Sequence, residues 1–391
     1  MESVLMGTYN PINVSLEKGQ GVWVWDKKGK KYLDALSGIA VTSLGHHHPH
    51  FIAALEKAAQ HVLHTSNILT IEAQLQLAQR LTEKAGMEQA FFGNSGAEAN
   101  ECAIKLARLY GHKKGIACPT VIVMENSFHG RTLATLSASG SRKVHAGFEP
   151  LVPGFVRAPY NDIAALEAIA HNNQDVVAIL VEPLQGEGGV RLPSDDYLTK
   201  IRELCDKHDW LMMLDEIQTG MGRTGQWFCY QYQSIKPDVL TSAKALGNGI
   251  PIGACLARGK AVDLFQIGSH GSTFGGNPFC CQAALAVIEA MEQEQLPENA
   301  AKIGKYLLTE LKETLSNIEG VVDIRGQGLL IGIELEKPCR PILQMAADNG
   351  LLISVTSEKV IRILPPLILQ QKEADEIAQI LAKVIPQFMA S

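Results

Sequence analysis

Two residues of opposite charge close consecutive apolar runs: Asp215 follows WLMML, and Lys244 follows PDVLTSA. Alone, each has an ordinary reading. An acid at the end of a buried strand serves as a helix cap or a core ion pair. A lysine before a Gly-rich turn is a solvated loop residue. A third element is the small-residue loop GNSGAEAN (93–100), which leads into a helix and offers Ser95, Gly96 and Ala97 as an anion cradle. Such loops also open ordinary helices. Taken together, a lysine amine, an acid and an anion cradle are what pyridoxal phosphate (PLP) needs: a partner for its aldehyde, for its pyridine nitrogen and for its phosphate. The acid keeps the ring nitrogen protonated, so that the ring accepts the electrons released when the substrate loses a proton. The lysine, displaced by the substrate amine, moves that proton.

These residues need rigid elements to position them. Four short runs, TVIVME (120–125), VVAILVEP (176–183), WLMMLDE (210–216) and PDVLTSAK (237–244), are apolar on both faces and spaced for intervening helices. That pattern predicts strands of a mostly parallel sheet covered by helices, in which ligands bind at the carboxyl ends of the strands. Ala97–Tyr110 reads as one helix, with Ala103, Leu106, Ala107 and Tyr110 on an apolar face. Asp195–His208 reads as another, with Ser194 as its N-cap. The chain ends differ. Residues 21–36 form a hairpin pattern around DKKGK. From about 280 a helical run leads to a second hairpin pattern, VVDIRGQGLLIGIEL, and an amphipathic helix from about Gln371 closes the chain. The expectation is a large α/β domain (56–279) and a smaller α+β domain built from residues 1–55 and 280–391.

The bulk of the sequence excludes several function classes. It has 391 residues, 46% hydrophobic and 19% charged, with a net charge of −6 and no long basic stretch. Nucleic acid and anionic membranes are therefore not expected as partners. No apolar run reaches the ~18 residues that span a bilayer. The N-terminus has neither a basic start nor an apolar core, so the cytoplasm is the expected location. The eight cysteines form no CxxC pair and read as reduced thiols. Cys280 and Cys281 begin an apolar helix and read as core.

Seven segments in order, SGAEANECAIKLAR, SFHGRT, VEPLQGEGGV, DEIQTGMGRTG, SAKALGNG, GSTFGGNP and RILPPL, resemble those of class III PLP-dependent aminotransferases. The resemblance runs from about Tyr9 to about Leu367. It implies the fold type I of PLP-dependent transferases: a large domain with a mostly parallel seven-stranded sheet, plus a smaller α+β domain from both chain ends. It also implies roles. Lys244 would bond the cofactor aldehyde and Asp215 would face the pyridine nitrogen. Gln218 would approach the ring hydroxyl, and Phe128 would stack on the ring. Ser95, Gly96 and Ala97 would bind the phosphate. Thr273 would reach the phosphate of a neighbouring subunit, which implies a homodimer.

Within the class, the segments look most like those of members acting on N2-acetylornithine, with 2-oxoglutarate and glutamate as the partner substrates. Arg131 would then hold the donor carboxylate with Ser272 close by, its planar guanidinium suiting bidentate contact. Arg362 would take the α-carboxylate of 2-oxoglutarate or glutamate, and Glu187 would pair with it when the δ-amino substrate is present. The alternatives are other ω-aminotransferases, acting on ornithine, succinylornithine, succinyldiaminopimelate or 4-aminobutyrate. Position 129 is His, where the ornithine enzymes carry Trp, which leans away from them.

A nicotinamide enzyme is a rival of another class, but GNSGAE lacks the GxGxxG spacing. GHHHPH (45–50) suggests a metal, yet no acidic or cysteine partner stands nearby at zinc-site spacing, so no metal is expected.

Overall fold

The computed structural model describes residues 4–391. Its centre is a seven-stranded sheet. The spatial order is Gln89–Gly93, Gly253–Ala257, Val239–Ser242, Leu211–Asp215, Val176–Val181, Thr120–Met124 and Phe155–Ala158. Gly253–Ala257 runs antiparallel to both of its neighbours, and every pairing beyond Val239–Ser242 is parallel. All four apolar runs became strands, and the sheet is α/β and mostly parallel as expected. Every residue of Val176–Val181, Leu211–Asp215 and Val239–Ser242 is buried, which is why these runs are apolar on both faces. Three further strands, Gln89–Gly93, Phe155–Ala158 and Gly253–Ala257, lack that continuous β-branched character, and their sequences did not announce them.

The helix Gly96–Lys113 packs against the middle of this sheet through Ala99, Ala103, Leu106, Ala107 and Tyr110. The second expected helix starts two residues late, at Tyr197, with Asp196 as the residue before it. Ser194 does not cap it. Its hydroxyl bonds Asn161 and Asp196 instead, because the chain has not yet turned helical there.

Both hairpin patterns are present. Trp23–Asp26 pairs with Lys31–Asp34, and an additional strand, Leu16–Gln20, flanks them. Val321–Gln327 pairs with Leu330–Leu335, which in turn pairs with Val360–Ile363. The chain ends meet where Leu33 and Asp34 pair in parallel with Leu351 and Leu352. Pro278–Gln293, Leu296–Leu315 and Gln371–Met389 are helices whose apolar faces share one core with the sheet. All eight cysteines are unbonded; Cys281 is buried and Cys280 partly so.

Candidate active site

Leu211–Asp215 and Val239–Ser242 are parallel neighbours, with Asp215 opposite Thr241. Their ends therefore open on the same edge of the sheet. Asp215 is the last residue of its strand and is 4% exposed. It accepts from Asn100 Nδ2 (2.7 Å), from the Ile217 N–H (3.1 Å) and from His129 Nδ1, also at 2.7 Å. A carboxylate acceptor places the proton of that last bond on Nδ1. Thr241 Oγ1 donates to Asn100 Oδ1 at 2.8 Å, which fixes the amide so that its NH2 group serves Asp215 and the His129 carbonyl. Asp215 is thus oriented by an amide, a backbone N–H and an imidazole N–H. No lysine or arginine is in hydrogen-bond contact with it among the described residues.

Lys244 lies two residues past the end of its strand, with φ +48°, a left-handed conformation that is uncommon for a side-chain-bearing residue. It is half-buried. Burial lowers its ammonium below the usual lysine range, and Arg362 adds to that, while Glu187, Asp215 and Glu182 pull the other way. The net direction favours a neutral amine, the nucleophilic form.

The third element is the N-terminus of Gly96–Lys113. Ser95 is its N-cap and accepts from the Glu98 N–H at 3.1 Å. The first-turn N–H groups of Gly96 and Ala97 have no partner inside the helix and carry its positive dipole end. The approach is tight. A Cβ at Gly96 would lie 2.8 Å from Ile217 Cδ1, and one at Gly253 only 2.2 Å from the Ser95 carbonyl oxygen.

These elements converge on a cavity of about 410 Å³, lined by Ser95, Gly96, Ala97, Phe128, Arg131, Glu187, Asp215, Gln218 and Lys244 among others. Phe128 is partly buried, with the Arg131 guanidinium 5.6 Å from its ring centre. Arg131 is exposed and has no ion pair among the described residues. Arg362 is 1% exposed. Its Nη1 donates to Glu187 Oε1 (2.6 Å) and to Gln218 Oε1 (3.2 Å), and its Nε to Ser354 Oγ. Burial raises the Glu187 carboxyl, but the Arg362 charge and hydrogen bond outweigh that and hold it below the usual range.

Two expected residues stand apart. Thr273 is exposed, and with Ser272 it lines a separate surface pocket beside His64, Ser66 and Asn67. Ser272 Oγ accepts from Asn94 Nδ2 at 3.2 Å, next to the anion cradle. The histidine cluster is divided among three carboxylates: His46 on Asp34, His48 on Glu294 and His50 on Glu289.

Sequence reasoning overlooked Asn100, the contact of His129 with Asp215, and Glu182. Asn100 carried a signal. It falls on the apolar face of its helix, three residues before Ala103, where a polar side chain needs a buried partner. Glu182 is 6% exposed, lines the cavity and accepts from the Phe128 N–H at 3.3 Å. Burial, then the neighbouring Asp215, push its carboxyl well above the usual range.

The aminotransferase class-III family profile matches residues 6–385. The acetylornithine aminotransferase of Nitrosomonas europaea is 53% identical over 389 residues, covering 100% of this chain and 99% of that protein. The acetylornithine aminotransferase of Methanothermobacter thermautotrophicus is 47% identical, covering 97% and 96%. Among solved structures, the ornithine aminotransferase of Toxoplasma gondii, in which PLP partly occupies the active site, superposes with a TM-score of 0.95 at 33% identity, over 99% of this chain and 93% of that one. The acetylornithine aminotransferase of Elizabethkingia anophelis gives 0.88 at 36% identity, over 98% and 96%. A lysine and an acid on adjacent strand ends, an anion cradle and full-length likeness of this order have one common explanation: the chain belongs to the class III aminotransferases.

Proposed function

We propose that this chain transfers the terminal amino group of N2-acetylornithine to 2-oxoglutarate, giving N-acetylglutamate 5-semialdehyde and glutamate. The carrying observation is that Lys244, Asp215, Arg131 and Glu187 all border one cleft at the carboxyl edge of the sheet, and that Glu187 is bonded to the buried Arg362. The names of the relatives at 47–53% identity support the same reading.

The residues fit PLP. Asp215 is a buried carboxylate fixed by Asn100, His129 and the Ile217 N–H, the acid a protonated ring nitrogen would call for. The Gly96 and Ala97 N–H groups open the helix as an anion cradle, and a Cβ at 96 would collide with Ile217, which lines the same cavity. PLP bound there supplies an electron sink for the pair left behind when a proton leaves the carbon bearing the amine. This chain's residues do the rest. Lys244 Nζ accepts the proton from the donor's δ-carbon, and it is suited to this because burial favours its neutral amine. In the second half-reaction it returns a proton to the α-carbon of the nascent glutamate. Arg131 holds the donor carboxylate at the mouth of the cleft. Glu187 neutralises Arg362 while the donor is present, and releases it to bind the α-carboxylate of 2-oxoglutarate. Phe128 would stack on the ring, and Gln218, bonded to Arg362, would approach its hydroxyl.

The working unit in this proposal is a cytoplasmic homodimer in which Thr273 completes the neighbour's cradle. Residues 56–279 act as the cofactor-binding domain, with 1–55 and 280–391 as the smaller one. Succinyldiaminopimelate is a second donor under the same reading. A donor panel with 2-oxoglutarate as acceptor tests the assignment. N2-acetylornithine is expected to lead, and equal kcat/KM for free ornithine overturns the substrate. A visible band lost on borohydride reduction is expected of the wild type. Full turnover by Lys244→Ala overturns the mechanism.

A further inference from the structure

Two cysteines meet behind the anion cradle. Cys102 lies on the helix Gly96–Lys113, about one and a half turns after Gly96 and Ala97. Cys255 lies on the strand Gly253–Ala257, where its register partners are Phe91 and Thr241. Both are buried in one apolar cluster with Leu106, Ala257 and Leu264. Their thiols are hydrogen-bonded to each other. Both also line a cleft of about 620 Å³ that shares no residue with the catalytic cavity.

The pair is polarised from one side. Lys105 Nζ, on the same helix, donates to His270 Nδ1 and to the Ser269 carbonyl, each at 2.9 Å. An imidazole that accepts at Nδ1 carries its hydrogen on Nε2. Phe91 and Phe265 hold the ring in place, with centroids 4.5 and 5.6 Å from that of His270. His270 is hydrogen-bonded to Cys102. The bond from Cys255 holds the Cys102 thiol below its usual range against the effect of burial, and His270 and Lys105 act in the same direction. The same bond, with burial, holds Cys255 well above that range. Cys102 is therefore the nucleophilic sulfur, and a second thiol stands beside it.

We propose that Cys102 and Cys255 form a peroxide-sensitive dithiol, reduced in the resting enzyme, whose closure to a disulfide loosens the cradle's hold on PLP. The Cys102 thiolate attacks one oxygen of hydrogen peroxide, which is small enough for the cleft. The O–O bond breaks, the sulfur becomes a sulfenic acid, and the departing hydroxide takes a proton from solvent. The Cys255 sulfur then attacks the sulfenic sulfur. The S–O bond breaks, and hydroxide leaves with the Cys255 proton as water. Two thiols are oxidised, and one peroxide is reduced to two waters.

Closing that bond draws the helix onto the strand. The cradle end has no slack, because a Cβ at Gly253 would already collide with the Ser95 carbonyl oxygen. Closure also removes the thiolate that His270 bonds, in the segment that carries Ser272 and Thr273. The effect on PLP rests on the cradle reading above; the dithiol itself does not.

The test uses the PLP-loaded enzyme. It is treated with hydrogen peroxide, alkylated in denaturant and mapped by peptide mass spectrometry, while PLP release on dilution is followed by its visible band. A disulfide joining the peptides of Cys102 and Cys255 is expected, with PLP leaving about fivefold faster, the low end of coupling between two sites. Dithiothreitol is expected to reverse both. Cys255→Ser is expected to stop at the sulfenic acid on Cys102, trapped by dimedone. His270→Ala is expected to slow cross-linking about tenfold, because Cys102 loses a hydrogen bond that favours its thiolate. Oxidation of the exposed Cys118 while Cys102 and Cys255 stay free thiols overturns the proposal. So does equal PLP loss from peroxide-treated Cys102→Ser, which places the damage elsewhere. Cross-linked enzyme that releases PLP at the untreated rate overturns the coupling to the cradle. Wild-type protein that binds no PLP sinks the proposed function instead, and the cross-link is then read by mass alone.

Discussion

Glu216, next in the chain to Asp215, is 1% exposed and accepts from Thr219 Oγ1 and from the Cys229 and Tyr230 N–H groups. Burial pushes its carboxyl up to about 7. A folded-state value above the unfolded one means that the native protein binds the extra proton. Stability is then fullest below the unfolded value, about 4.3, and is lost as pH rises toward 7. Over that window the loss is on the order of 3 kcal/mol. Melting temperature measured from pH 5 to 7.5 is expected to fall in the wild type and to stay flatter in Glu216→Gln; parallel curves would discount the buried acid. At the same scale, Glu187 matters through the charge it supplies to Arg362. Glu187→Gln keeps the shape and leaves the guanidinium unneutralised when the donor binds. Steady-state kinetics are expected to show kcat/KM for N2-acetylornithine falling about tenfold, about 1.4 kcal/mol. The value for 2-oxoglutarate is expected to change much less, and equal losses would refute the exchange of partners at Arg362.

The elements that position the site were legible where burial is two-sided. WLMML and VLTS read as interior strands because they are short and bounded by turn signals, with no polar face that a solvated element would show, and Asp215 and Lys244 followed from their ends. The strand Gly253–Ala257 was not legible. GACLA opens on a glycine because a Cβ at 253 would meet the Ser95 carbonyl, a constraint visible only in three dimensions. The turn at 37–40, whose four residues all have left-handed φ, was hidden for the opposite reason: Ser-Gly-Ile-Ala carries no local preference for it, and distant contacts impose it. Gly253 thus links sheet and cradle. Gly253→Ala puts a methyl group 2.2 Å from a backbone oxygen that has little room to retreat. It is expected to cost about 1–3 kcal/mol by thermal or urea unfolding, the scale of overpacking in a close-packed interior. It should also weaken PLP retention more than an equally destabilising change far from Ser95. Retention equal to wild type would mean that the helix terminus tolerates displacement.

On the scale of the whole molecule, the two chain ends reach the catalytic edge together. Leu33 and Asp34 pair with Leu351 and Leu352, Asp34 clamps the turn at 37–40 ahead of Val41, which lines the cavity, and Arg362 comes from the C-terminal sheet to meet Glu187 from the central one. What the single chain leaves bare is a stretch beside the same edge. Val62, Leu63, Ile68 and Leu69 are exposed, Ile68 by 91%, and Phe274 is exposed next to Thr273. Large apolar side chains gathered in this way mark an association surface. Under the proposed function, in which Thr273 completes a neighbour's cradle, the occupant of this surface is a second copy of the chain. Sedimentation at micromolar concentration is therefore expected to report twice 42.4 kDa. Ile68→Asp, which buries a charge at the contact, is expected to shift the protein toward monomer. If Thr273 completes the neighbour's cradle as proposed, PLP affinity should fall with it, because each cradle would then lose that hydroxyl. A monomer that retains PLP as tightly as the wild type would end the role of Thr273, and the dimer would then be only an association of independent sites.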